Sequence, residues 1–138
     1  QEVSDDLEQI IQNILISTGS VSLLVHPDYN SALAHALFYG LTVREHIEKN
    51  HLHGEVVSYG TLVQLMMDGQ KEMLQKAYAF HRQIGLPVCL ADLELSKDDP
   101  LSDVLEMAEK NQELNHVPYP VTQALIRKAI DDLENYAG

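Results

Sequence analysis

The chain has 138 residues, 45% hydrophobic and 22% charged, with a formal net charge of −12. These proportions suit one folded domain with a real core and exclude a disordered chain. So acidic a surface repels nucleic-acid phosphates, no apolar run has the length to cross a bilayer, and one cysteine, Cys89, cannot build a disulfide framework.

A reducing, cytoplasmic setting is the expectation, and the opening residues do not read as a signal peptide. Gln1 is not an initiator, and the chain enters a helix at once, which reads as a piece of a longer protein. Ser4 is placed to cap a first helix whose Leu7, Ile10, Ile11, Ile14 and Leu15 recur at helical spacing up to Gly19. Val21 to Val25 extends as a short apolar helix, broken by His26 and Pro27. Asp28 or Asn30 then caps a helix over 31–43, whose Ala32, Leu33, Ala34, Ala36 and Leu37 make it apolar almost all round and so buried on several sides.

Residues 45–50 are polar and expected in solvent. Helices follow over 52–67, 71–84 and 101–111, the second of them stopped by Gly85-Leu86-Pro87. His116-Val117-Pro118-Tyr119-Pro120 is expected to be extended, because each proline disfavours helix in the residue before it. Thr122 caps the last helix, with Leu125, Ile126, Ala129, Ile130 and Leu133 as its inner stripe. With no alternating strand pattern, the fold class is all-α, a bundle of about six packed antiparallel helices.

Two histidines stand out. His35 lies within Ala32-Leu-Ala-His-Ala-Leu-Phe-Tyr-Gly40, and His53 opens His53-Gly-Glu-Val-Val-Ser-Tyr-Gly60. An imidazole among Ala, Leu and Val is costly to bury unless its nitrogens find partners. Two such rings from neighbouring helices can converge on one metal ion, zinc or iron; the alternative is a core histidine bonded to a carbonyl. His51, two residues before His53, points to another side of a helix, and Gly54 after His53 suggests close approach there. His26 and His116 read as loop residues, and His46 and His81 as surface ones. Cys89 has no basic neighbour to activate it and reads as an inert thiol. The acids Asp98, Asp99 and Asp103, and likewise Asp131, Asp132 and Glu134, read as solvated faces, and Met66-Met67 as core packing. No serine elbow or phosphate-binding glycine loop is present.

The two histidine strings, with Ile84-Gly-Leu-Pro87 and His116-Val-Pro118 in the same order, resemble the glycerol dehydrogenase branch of the iron-containing (group III) alcohol dehydrogenases. The resemblance runs from about Gly19 onward. It implies that residues 1–138 are a single helical metal-binding domain with the dehydroquinate synthase-like fold of that family's C-terminal half, lacking an N-terminal nucleotide-binding domain. It also implies that His35 and His53 are metal ligands, with an aspartate supplied from upstream, and that no further residue here is catalytic. Zinc or iron, and NAD or NADP bound mainly by the other domain, are the implied cofactors. The implied reaction is hydride transfer from a small alcohol or polyol to a nicotinamide, and a homo-oligomer is compatible with the family. Many glycerol dehydrogenases carry a second histidine three residues after the first. Here that position is Phe38, which opens a second reading, a hydroxycarboxylate dehydrogenase or 2-oxo acid reductase, for which Arg44 or Arg82 would have to face the substrate. A non-catalytic helical interaction module is the third, in which His35 and His53 point apart. The 138 residues alone, without nucleotide domain or carboxylate ligand, are expected to be inactive.

Overall fold

The computed structural model describes residues 9–10 and 32–136. Within them the chain forms six α-helices: α1 Leu33–Leu41, α2 Glu45–Asn50, α3 His53–Met67, α4 Lys71–Ile84, α5 Ser102–Glu109 and α6 Gln123–Glu134. Two 3-10 turns, Leu90–Leu93 and Gln112–His116, join them, and no strand occurs among the described residues. The all-α expectation therefore holds. The first two helical segments read from the sequence, and the caps Asp28 and Asn30, lie outside the described residues apart from Gln9 and Ile10, which are helical.

Helix α1 is the hub, packed against α3 on one side and α5 on the other, while α6 closes over α3 and α5. Its composition explains this placement. Leu33, Ala36, Leu37 and Leu41 are fully buried, and Ala34 and Gly40 nearly so, leaving little of the helix for water. With no side-chain cap of its own, α1 has the Ala34 N–H donating to Gln64 Oε1 of α3 at 3.3 Å, which satisfies one of its first-turn donors.

Two glycines permit these contacts. A Cβ at Gly60 of α3 would lie 2.6 Å from the Ala34 carbonyl oxygen of α1, and one at Gly40 of α1 would lie 2.4 Å from the Val104 carbonyl oxygen of α5. At both points backbone meets backbone. Gly54, expected from the sequence to allow close approach, has no neighbour within 4 Å of such a Cβ, so the close contact is made one and a half turns further along α3.

The other helices begin and end for local reasons. The Glu55 carboxylate reaches back to accept the Leu52 N–H at 2.9 Å, opening α3. Helix α4 ends at Gly85, whose φ of 76° is left-handed, with the Leu86 N–H closing back on the His81 carbonyl at 2.9 Å. Thr122 Oγ1 accepts the Leu125 N–H at 3.3 Å and opens α6, whose Ile126, Ala129, Ile130 and Leu133 face the core as expected.

Several expectations are corrected. Residues 45–50 are mostly in solvent, as expected, but they form a helix whose Ile47 is fully buried. Asp99 and Asp103 do not simply face solvent. Arg44 binds both, at 3.2 and 2.7 Å, and Asp99 Oδ1 accepts the Leu101 N–H at 2.9 Å, fixing a buried leucine with a left-handed φ of 53° ahead of α5. Glu134 likewise leaves the solvated face, accepting the Leu90 N–H at 2.7 Å. His81 is buried at 8% exposure, in phase with Leu74 and Tyr78 on the inner face of α4.

Gly60→Ala is expected to destabilise the fold by about 1–3 kcal/mol, because the methyl collides with fixed backbone. Gly54→Ala, entering open space, should be neutral or raise stability by up to about 1 kcal/mol. Urea unfolding of the two variants separates these outcomes, and equal losses would contradict the contact. Burial holds the His81 imidazole below the ordinary histidine value, against a smaller pull from the Pro87 carbonyl. The unfolded chain therefore takes up a proton near pH 6.5 that the folded chain still refuses. Stability should fall as pH drops below about 6.5 and recover as it rises, and His81→Gln should flatten that slope between roughly pH 6.5 and 5 in a series of denaturation midpoints.

Candidate functional site

His35 sits in the middle of α1 and His53 is the first residue of α3. Although 18 residues apart in sequence, their rings lie side by side, with centroids 5.5 Å apart and planes tilted at 48°. The pairing follows from the backbone contact between the helices. Ala34, the neighbour of His35, lies against Gly60, and His53 stands on α3 two turns before Gly60, near the level of the next residues of α1. His35 is half-buried and His53 exposed, so the pair lies at the surface of the bundle.

Two imidazoles on one near-tetrahedral ion, each at a metal–nitrogen distance of about 2.0–2.1 Å, have centroids roughly 5.2 Å apart. The observed centroid distance of 5.5 Å is close to that value. Among the described residues no third His, Cys, Asp or Glu joins them.

The remaining histidines are distributed elsewhere. His51 is only 13% exposed at its side chain and turns away from His53, with Nδ1 3.6 Å from Glu55 Oε2 and Nε2 enclosed. It lines a cleft of about 600 Å³ with Glu55, Tyr78, Arg82, Pro87, Cys89 and Asp92, and this cleft does not include the His35–His53 pair. His46, expected at the surface, is half-buried with Nε2 enclosed. His116 closes the 3-10 turn Gln112–His116, and His26 lies outside the described residues.

Burial pushes the Cys89 thiol above its ordinary value, and its closest acid, Asp92, also accepts the Val88 N–H at 2.9 Å. An inert thiol is what this environment produces. Tyr59, fully buried, has its phenol pushed well up by burial, with Glu134 adding to the effect. Burial also raises the Glu134 carboxyl, partly opposed by the Leu90 N–H. Of the two arginines considered for an acid substrate, Arg44 is engaged by Asp99 and Asp103, and Arg82 lines the other cleft. No helix among the described residues is long and apolar enough to cross a membrane.

Two further residues shape the surroundings of the pair. Gln64, eleven residues after His53, ties α3 to the start of α1. Phe38, one turn after His35, places its ring against His53 at a centroid distance of 4.2 Å. The i to i+3 spacing of Phe38 from His35 was the available signal.

No known family model matches the chain. Individual proteins do. Glycerol dehydrogenase of Thermotoga maritima is 34% identical over 140 residues, which takes in 99% of this chain and 37% of that protein. Glycerol dehydrogenase of Citrobacter freundii is 31% identical over 93% of the chain and 35% of its own length. Hydroxycarboxylate dehydrogenase A of Escherichia coli is 29% identical over 99% of the chain and 38% of its own length. Among solved structures, a probable glycerol dehydrogenase from Sinorhizobium meliloti superposes with a TM-score of 0.69 at 33% identity, covering 75% of this chain and 30% of that one. The chain thus spans a little over a third of the length of the curated relatives it matches. Similar in sequence over nearly all its residues and in fold over three quarters of them, this helical chain belongs to the glycerol dehydrogenase-like family.

Proposed function

We propose that this chain is the helical, metal-binding part of an NAD(P)-dependent alcohol or polyol dehydrogenase, with His35 and His53 as two protein ligands of a divalent cation, zinc or iron. The observation that carries the reading is the 5.5 Å approach of the two rings from separate helices. A core histidine bonded only to a carbonyl would not need a second imidazole beside it at a solvent-accessible edge.

The residues have defined tasks in this reading. Each imidazole donates a ring nitrogen to the cation and must be neutral to do so. The α1–α3 contact holds the two donors at a fixed separation before any ligand arrives. A bound divalent cation supplies Lewis acidity toward a substrate hydroxyl. The third protein ligand, a carboxylate, and the nicotinamide site are assigned to a nucleotide-binding domain preceding these residues in a longer parent chain. The longer relatives support that assignment, since this chain covers 35–38% of them. A small alcohol or polyol would enter the cleft between the two domains, and the parent would be a cytoplasmic enzyme free to assemble as a homo-oligomer.

The hydroxy-acid reading, to which the similarity with hydroxycarboxylate dehydrogenase A lends weight, needs a cation for the substrate carboxylate. Arg44 is already bound by two aspartates, and Arg82 opens onto a cleft that excludes the pair. Alcohols and polyols are therefore the preferred substrates. An interaction module in which the two histidines point apart has no support from rings whose centroids lie 5.5 Å apart.

In the full-length dehydrogenase that this reading requires, His35→Ala and His53→Ala should each lower metal occupancy and kcat/KM by at least about 100-fold, read by metal analysis and by nicotinamide absorbance. Variants that keep both full occupancy and turnover would overturn the assignment. The isolated 138 residues should show no NAD- or NADP-dependent oxidation of glycerol or of a 2-hydroxy acid, and measurable turnover would contradict the proposed division of labour.

A further inference from the structure

Resting on the reading of His35 and His53 as cation ligands, we infer that Phe38 is a positioning residue that sets the ring of His53 in the orientation needed to share an ion. His53 is exposed at the first position of α3, and no hydrogen bond from its ring is made among the described residues. An exposed imidazole on its own samples several rotamers, only some of which aim a nitrogen at His35. A metal-binding histidine is normally fixed by a hydrogen bond from its second nitrogen. Here the ring of Phe38 packs against that of His53.

The geometry is specific. The Phe38 and His53 rings meet at 4.2 Å between centroids and 63° between planes, an edge-on contact. Phe38 is itself constrained. It is partly buried against the hydrophobic core, and its ring meets that of Tyr39 at 5.3 Å and 68°. Because Phe38 follows His35 by three residues on α1, both rings that define the position of His53 are carried by one rigid helix. The contact therefore transmits the placement of α1 to a side chain on α3 that has no hydrogen bond among the described residues.

The test is a zinc titration of the metal-free, ¹⁵N-labelled full-length dehydrogenase, which carries the carboxylate ligand, following the imidazole nitrogen resonances of His35 and His53. In the wild-type chain both rings should shift together with one dissociation constant. Phe38→Ala should weaken that constant by about three- to tenfold, the span an aromatic pair accounts for. Phe38→Tyr, which keeps the ring edge, should restore it. Phe38→Leu, which keeps apolar bulk and so protects the fold, should weaken binding as Phe38→Ala does, and it decides the matter if Phe38→Ala does not fold. Wild-type binding with undiminished affinity in Phe38→Leu would overturn the role of Phe38 while leaving the shared cation intact. Absence of a joint shift in the wild-type chain would instead overturn the shared-cation reading itself, and this inference with it.

Discussion

The fold depends on one close contact, backbone against backbone, between α1 and α3 at Ala34 and Gly60. Dispersion forces fall off so steeply that a fraction of an ångström decides whether two helices pack or merely lie near each other. Only a residue without a Cβ lets the α3 backbone come within touching distance of the Ala34 carbonyl. The same device recurs on the other side of α1, where Gly40 meets Val104 of α5. Helix α1 is thus gripped from two sides through glycines, and its own small and aliphatic residues fill the remaining space. Loosening either grip would move His35 relative to everything around it.

That constraint explains why a candidate metal-binding pair can exist at the edge of a bundle. Side chains at a surface usually gain little order from packing. Here the helices that carry them are fixed deep in the core, so the rings inherit a defined separation. Polar ties reinforce the arrangement from below. Gln64 fastens α3 to the first turn of α1, and Glu55 anchors the opening of α3 just beyond His53. Arg44, between α1 and α2, holds the approach to α5 through Asp99 and Asp103. Exposed charge pairs such as Lys76 with Glu72 contribute little by comparison, since solvent screens them.

Much of this architecture was legible in the residues. Helical spacing, the Gly85 stop and the Thr122 cap located α3, α4 and α6 within a residue or two, because those signals are local. The polar helix 45–50 was not legible: one buried residue in six leaves no periodicity to detect. The Arg44–Asp103 pair spans 59 residues, and nothing in either flanking sequence names the other. His81 was misread because its immediate neighbours in sequence are exposed, although its spacing of seven from Leu74 and three from Tyr78 carried the correct signal. The two Tyr-Gly pairs, 39–40 and 59–60, looked alike and share a role through glycine, but their tyrosines diverge: Tyr39 is exposed and Tyr59 is fully buried. Which face a tyrosine takes depends on the helix phase relative to partners that sequence spacing does not identify.

The histidine pair shows where spacing stops and packing begins. Eighteen residues between His35 and His53 are compatible with many helix crossings, most of which would leave the rings apart. Convergence requires α1 and α3 to cross at a particular level, and that level is set by which glycine meets which alanine. Gly54, beside His53, looked like the natural point of approach, yet it faces open space. Had the helices closed at Gly54 instead, α1 would have been carried toward the start of α3, with His53 pressed against backbone instead of against a ring. Closing one and a half turns later leaves room at the α3 N-terminus for the His53 imidazole and the edge of Phe38. The small residue that matters most to the candidate site is therefore one that does not touch it.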